Sequence, residues 1–479
     1  MRSLVWFRSD LRTVDNTALY RACKLSGGDS KGAGVIGLFV VSPAEWKAHA
    51  YAPAKVDLIL RTLRELSRSL AAINIPLLVR IARSARDVPQ TVLNVARTNS
   101  CDALWFNKEY EVNETARDAA VTRACTREGL KAFACTDQSL IEPGEIRTGE
   151  GRPYTVFTPF KKACVKHLSQ DATVPLPAPR QLAAMPVLPD EVPTSVPGWL
   201  STVPADRWPA GEATAHSRLD SFVNTLAAAY KQNRDFPSLA ATSELSPHLT
   251  VGSISPRQCV AAALAANNGS FDAGNDGLVC WISEVLWREF YIYVMHSFPK
   301  VCKHRAFVAW TESVRWLNND AHFEAWKEGR TGVPIVDAGM RQLVAEGWMH
   351  NRVRMITAMY LSKNLLIDWR LGEDWFMRNL VDGFLASNNG GWQWSASTGT
   401  DAAPYFRIFN PITQSERFDS DGAYIRRYVP ELAALGGDVI HDPSRLPPIA
   451  RAKVDYPDML VDLSTSRQRA IDAFAAAKP

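Results

Sequence analysis

The chain is poor in the patterns that commit cysteine to a job. Its eight cysteines, Cys23, Cys101, Cys125, Cys135, Cys164, Cys259, Cys280 and Cys302, form no CxxC pair and no Cys/His spacing of a zinc site. Neither a disulfide framework nor a metal is expected, and the thiols read as core residues of a reduced intracellular protein. No apolar run reaches about 18 residues, and no charged-then-apolar leader opens the chain, so a soluble, cytoplasmic protein with no membrane partner is expected. Net charge is scarce, at +4 over 479 residues, so any affinity for nucleic acid must reside in a local basic face. Phosphate fingerprints are missing as well. Neither GxGxxG nor GxxxxGK[ST] opens a helix after any early strand, which excludes a Rossmann dinucleotide site or a P-loop of the usual kind from the first domain.

What is present is enough apolar residue, 46%, for two domains. Short apolar segments at 3–8, 35–41, 76–81, 103–107 and 131–135 alternate with helical stretches such as 55–71. That rhythm predicts a parallel α/β sheet over residues 1–135. Nine of the 29 prolines fall between Pro175 and Pro209, which excludes continuous helix there and marks 136–213 as a connector. From 214 to 479 the periodicity is helical, with segments at 249–265, 334–347 and 352–368, and an all-α second domain is expected.

Four clusters carry chemistry. Thr242, Ser243 and Ser246 precede the 249–265 segment, where hydroxyls either bind phosphate oxygens or simply cap the helix. Trp281, Glu284, Trp287 and Arg288 share one helical face. There the carboxylate either donates to a carbonyl when desolvated and protonated, or pairs with Arg288. Asn351, Arg354 and Met355 share another face while Arg352 points elsewhere; Arg234, Arg352 and Arg407 are either phosphate ligands or solvated charges. Residues 382–401 crowd amides, glycines and two indoles together, which reads as a turn whose glycines let backbone approach a flat ligand, or as a turn with aromatic anchors.

The stretches WFRSDLR at 6–12 with Asp15-Asn16, then TSELSPHLTVGSISPRQ, LWREFY, GWMHNRVRM and NNGGWQWSASTGTDAAPYFRIFNP, resemble the photolyase and cryptochrome flavoproteins over nearly the whole chain. Within them the chain looks like the class I cyclobutane-dimer DNA photolyases of bacterial type. The resemblance implies a Rossmann-like α/β antenna domain and a helical domain holding FAD, reduced in the active form. It implies Tyr230, Thr242, Ser243, Glu244, Leu245, Ser246, Trp281, Gly383 and Phe384 around FAD, an Arg354–Asp382 ion pair beside the isoalloxazine, and Asn388 facing its N5.

By the same resemblance Glu284, Asn351, Met355, Trp287 and Trp394 meet the pyrimidine dimer, with Asn388 acting through the flavin. Arg234, Trp287, Asn351, Arg352, Arg407 and Gln414 contact damaged DNA, single or double stranded. Trp392, Trp369 and Trp316 form an electron relay to the surface. Asn113, Glu114, Cys302 and Lys303 match a 5,10-methenyltetrahydrofolate antenna site in preference to a deazaflavin. The implied activity is blue-light repair of cyclobutane dimers; a monomer without an obligatory protein partner is the default expectation.

One departure stands out: Phe384 occupies a position where the family usually has a second carboxylate, so weakened but surviving FAD binding is expected. A (6-4) photolyase would carry histidines where this chain has Asn351 and Met355. A cryptochrome photoreceptor would add a long tail after Arg467-Gln468-Arg469. A passive nucleic-acid-binding module would explain the arginines but not the Asn388, Asp382 and Arg354 set.

Overall fold

The structure, a computed structural model, describes residues 1–26, 33–168 and 173–479. Strands β1 (Arg2–Phe7), β2 (Gly34–Val41), β3 (Leu77–Ile81), β4 (Ala103–Asn107) and β5 (Lys131–Cys135) form one parallel sheet in the order β3-β2-β1-β4-β5. Arg2 pairs with Gly34, and Ser3 with both Val35 and Ala103. The central strands are buried along almost their whole length. They therefore read as unbroken apolar runs, as parallel strands covered by crossover helices must. No further strand occurs among the described residues.

Contacts divide the chain into two compact units. The first comprises Met1–Lys231 and Ser243–Pro299. Besides the sheet it holds a helical core built on Phe160, Phe222, Trp281, Ile282, Phe290 and Tyr293. A buried polar network fastens the segment after β1 to this helical part. Arg12 donates to the Gly252 carbonyl and pairs with Asp137, while Asp15 binds Ser255 and Arg257. The second unit, Gln232–Thr242 with Lys300–Pro479, is helical around Trp326, Met340, Leu361, Trp369, Phe376 and Trp392. The proline-rich stretch contains only short turns such as Ala205–Arg207 among its described residues.

Two expected helices are broken. The 249–265 segment is Ser246–Val251 and then Pro256–Ala266. Gly252 between them has φ +75°, and a Cβ there would stand 2.1 Å from the Ser9 carbonyl oxygen. Ser255 then restarts the helix with a capping box to Gln258, and Pro256 follows at the first helical position. The 352–368 segment is the helix Asn351–Met359 followed by one π turn, Tyr360–Asn364. A new helix, Trp369–Asn379, is capped by Asp368. The third expected helix runs Pro334–Glu346 and closes on Gly347 in the left-handed region.

Candidate functional site

In the second unit, Asn388 to Trp394 is helix, part of Leu385–Ala396, and not the turn its glycines suggested. Mid-helix glycines cost about 1 kcal/mol each relative to alanine; tertiary bonds hold this one together. Asn388 Nδ2 donates to the Glu373 carbonyl at 3.0 Å, so its Oδ1 is the polar atom left to accept from a neighbour. Asn389 Nδ2 donates to Glu373 Oε1 at 2.8 Å, and Gln393 Nε2 donates to Asn389 Oδ1 at 2.9 Å. A Cβ on Gly391 would meet nothing within 4 Å.

The Asn351–Met359 helix is capped by His350, whose Nδ1 accepts from the Arg352 amide at 3.2 Å. Asn351 Nδ2 lies 4.0 Å from Met355 Sδ, so these two do share a face. Arg354 donates through Nε to the Met349 carbonyl at 2.7 Å and through Nη2 to both oxygens of Asp382, at 2.9 and 3.1 Å. The Asp382 side chain is 3% exposed and that of Arg354 25%, which gives a neutralised pair with its guanidinium partly open.

Arg352 turns the other way. It pairs with Asp235 at 2.7 Å and lies 4.3 Å over the Phe418 ring. Arg234 is 3.9 Å from the same carboxylate. Gln414 lies on the Pro411–Phe418 helix that supplies Phe418, and Arg407 is exposed. Thr242 is half-buried.

The three tryptophans expected to form a relay belong to one core. Trp369 and Trp392 are buried within it and Trp316 packs against it from the outside. Trp392 sits edge-on to Phe376 at 4.9 Å and to Trp326 at 6.1 Å. Its indole Nε1 is buried without a hydrogen-bond partner. Trp394 is half-buried on the same helix.

In the first unit, the helix Asp276–Ser297 carries Trp281, Glu284 and Trp287. Trp281 rests on Phe222 at 4.9 Å, and the buried Tyr230 meets the same ring edge-on at 5.7 Å. Trp287 stacks on Phe157 at 3.7 Å, nearly parallel, and Glu284 is half-buried one turn away. Arg288 donates to the Gln138 carbonyl at 2.6 Å, and Glu289 accepts from the Leu140 amide at 2.9 Å. These two bonds fasten the helix to the segment that leaves β5.

Ser243 and Ser246 are half-buried and Leu245 is buried. Glu244 between them has φ +47°, a conformation that costs of order 1–3 kcal/mol for a non-glycine residue. Its carboxylate is committed to Arg207 at 2.8 Å and Arg218 at 2.6 Å. Burial favours its protonation, but the two guanidiniums outweigh burial and hold it below the usual range.

The expected antenna residues are divided between the units. Asn113 Nδ2 is 3.0 Å from His49 Nε2, and Glu114 is 3.1 Å from His49 Nδ1. Burial works against protonation of His49, but Glu114 prevails and raises its pKa. Glu45 completes a group of possible ligand atoms within 4.8 Å of one another, although Arg117 already pairs with Glu45 at 2.9 Å. Cys302 is half-buried and Lys303 exposed, in the second unit.

A family model described as DNA photolyase matches residues 3–180, and one described as FAD binding domain of DNA photolyase matches residues 281–476. The chain is 44% identical over 476 residues to the deoxyribodipyrimidine photo-lyase of Escherichia coli (strain K12), covering 99% of this chain and 98% of that one. The chain belongs to the DNA photolyase family. Among solved structures, a bacterial class III photolyase from Agrobacterium tumefaciens superposes with a TM-score of 0.86 at 36% identity, covering 99% of this chain and 97% of that one. An archaeal photolyase from Sulfolobus tokodaii, described with two FAD molecules and a novel light-harvesting cofactor, gives 0.80 at 28% identity, covering 99% and 100%.

Four polar residues that the structure brings against the expected site residues, His49, Glu45, Asn389 and Gln393, were not singled out in the sequence. His49 is 65 residues from Glu114 in sequence, and no local pattern links them. Asn389 and Gln393 are spaced i, i+4 on a helix and could have been paired had the segment been read as helical.

Proposed function

We propose that this protein is a deoxyribodipyrimidine photo-lyase that uses light to split cyclobutane pyrimidine dimers in DNA. What carries the reading is its end-to-end match to curated relatives of that name. The deciding experiment follows thymine dimers in irradiated DNA mixed with reduced protein, in light and in darkness. Dimers should disappear only in the light, and equal levels in both would overturn the assignment.

The residues fit FAD. A neutralised guanidinium pair, an amide with an open carbonyl oxygen, and half-buried hydroxyls at Thr242, Ser243 and Ser246 supply the donors and acceptors that an isoalloxazine ring and a phosphate-bearing chain require. When bound and reduced, FAD would supply light-driven one-electron chemistry for opening the dimer. The protein binds, orients and excludes water. Arg354 and Asp382 would hold FAD together with Gly383 and Phe384, and Asn388 would offer its Oδ1 as a hydrogen-bond acceptor. Tyr230, Glu244, Leu245 and Trp281 shape the remaining cofactor surface, the Glu244 side chain by fixing its own turn.

Glu284 serves as hydrogen-bond partner of the thymine carbonyls, and Asn351 and Met355 line the pocket with Trp287 and Trp394. The dimer has to leave the stack to reach them, which costs least at a damaged, poorly paired step. Arg234, Arg352, Arg407 and Gln414 serve the DNA backbone, so affinity falls with salt. Residues 1–135 form the antenna domain, 136–213 the connector, and 214–479 the flavin- and DNA-binding domain of a cytoplasmic monomer. A cryptochrome-like photoreceptor is the alternative, and dark-equal dimer levels with intact photoreduction would favour it.

For the antenna we infer 5,10-methenyltetrahydrofolate, held by Asn113, Glu114, Cys302 and Lys303. Glu114 and Asn113, bonded to Nδ1 and Nε2 of His49, supply a carboxylate and an amide of the kind that matches the donors and acceptors of a pterin. Reconstitution with the folate should add its absorbance band, whereas uptake of a second FAD would replace this assignment.

A further inference from the structure

Lys363 lies in the π turn Tyr360–Asn364 with a fully buried side chain, 0% exposed. Its Nζ donates to Ser397 Oγ at 2.9 Å and to the Ala396 carbonyl at 3.1 Å, and stands 3.7 Å from the centre of the Phe474 ring. An ammonium has three N–H bonds, and two oxygens and one ring face match them. Burial pushes the pKa well down, yet these contacts favour the charged form. A methionine would fill similar volume without desolvating a charge, so a lysine here is costly unless its contacts matter.

One end of this bridge closes the helix of Trp392 and the other meets Trp316. Ser397, at φ +61°, closes the Leu385–Ala396 helix that carries Asn388, Trp392 and Trp394. Phe474, from the helix Leu463–Ala477, is buried and meets Trp316 edge-on at 5.8 Å. One side chain thus ties the helix of the inner tryptophan to the ring that abuts the outer one.

We propose that Lys363 is a positioning residue of the tryptophan relay, holding Trp316 in register with the Trp392 helix by bridging Ser397 to Phe474. The proposal rests on the reading of Trp392, Trp369 and Trp316 as an electron path. Its test illuminates Lys363→Met, Phe474→Leu and Trp316→Phe, each with oxidised flavin and an external reductant, following flavin reduction, flavin content and the yield of long-lived tryptophan radical by transient absorption.

Trp316→Phe should be blocked. Lys363→Met and Phe474→Leu should reduce flavin severalfold more slowly and give less radical, at parental flavin content. If Trp316→Phe matches the parent, the relay reading falls and this proposal with it. If Trp316→Phe is blocked while the other two match the parent, the proposal alone falls. Should Lys363→Met not fold, Phe474→Leu decides by the same criteria.

Discussion

Gly372 lies beneath the indole of Trp392. A Cβ on Gly372 would stand 2.1 Å from Trp392 Cη2 and 2.5 Å from Cζ3, on the helix whose first residue is Trp369. The missing side chain is what lets the inner tryptophan settle against the helix of the middle one. Gly372→Ala must therefore move a ring in a close-packed core, where overpacking costs typically 1–3 kcal/mol. We expect a lower denaturation midpoint and slower light-driven flavin reduction. Unaltered photoreduction in a destabilised variant would detach Trp392 from the relay.

Asp382 and Arg354 form a pair in which removing one charge strands the other. Asp382→Asn keeps shape but leaves Arg354, still bonded to the Met349 carbonyl, without its counter-charge. The expected cost is roughly 1–3 kcal/mol in stability, together with flavin loss during purification. The ratio of flavin to protein absorbance measures the second effect; a parental ratio would show that the pair does not hold the cofactor.

His350 makes a prediction about acid. Burial lowers its pKa to about 4, whereas an unfolded histidine titrates near 6.5. Between these values the unfolded chain takes up a proton that the folded chain refuses, so stability is full above about pH 6.5 and drains away toward pH 4. The loss reaches roughly 3 kcal/mol for a shift of that size. His350→Asn can still cap the helix by accepting from the Arg352 amide and does not titrate. Its denaturation midpoint should decline less steeply from pH 7.5 to 5, and parallel profiles would refute the assignment.

The sheet was legible because its central strands, buried on both faces, leave apolar runs; β4 has the expected bounds, and so does β5, although this edge strand is mostly exposed or half-buried and its short KAFAC segment was placed by the βαβ rhythm. The break at Gly252 was not, because it depends on the Ser9 backbone some 240 residues away, and a lone glycine inside a helical pattern carries no such information. Asn388 to Trp394 misled for the opposite reason. Its glycines argue for a turn, and the bonds from Asn388 and Asn389 to Glu373 that stabilise the helix are tertiary. The individual site residues came from resemblance, since spacing alone left Thr242, Ser246 and the arginines open between caps, surface charges and ligands.

Phe384 concerns both local structure and cofactor. It is the N-cap of the Leu385–Ala396 helix and makes no side-chain capping bond. An aspartate there can accept from the second or third amide of the helix, worth typically about 1 kcal/mol, and its charge also favours the positive end of the helix. Because this helix carries Asn388, Trp392 and Trp394, a firmer first turn steadies the residues assigned to flavin and lesion. Phe384→Asp should thus raise the denaturation midpoint and slow flavin loss on dilution. Greater stability with unchanged flavin retention would assign the position to helix capping alone, and no change in either would leave the phenylalanine equivalent to the carboxylate it replaces.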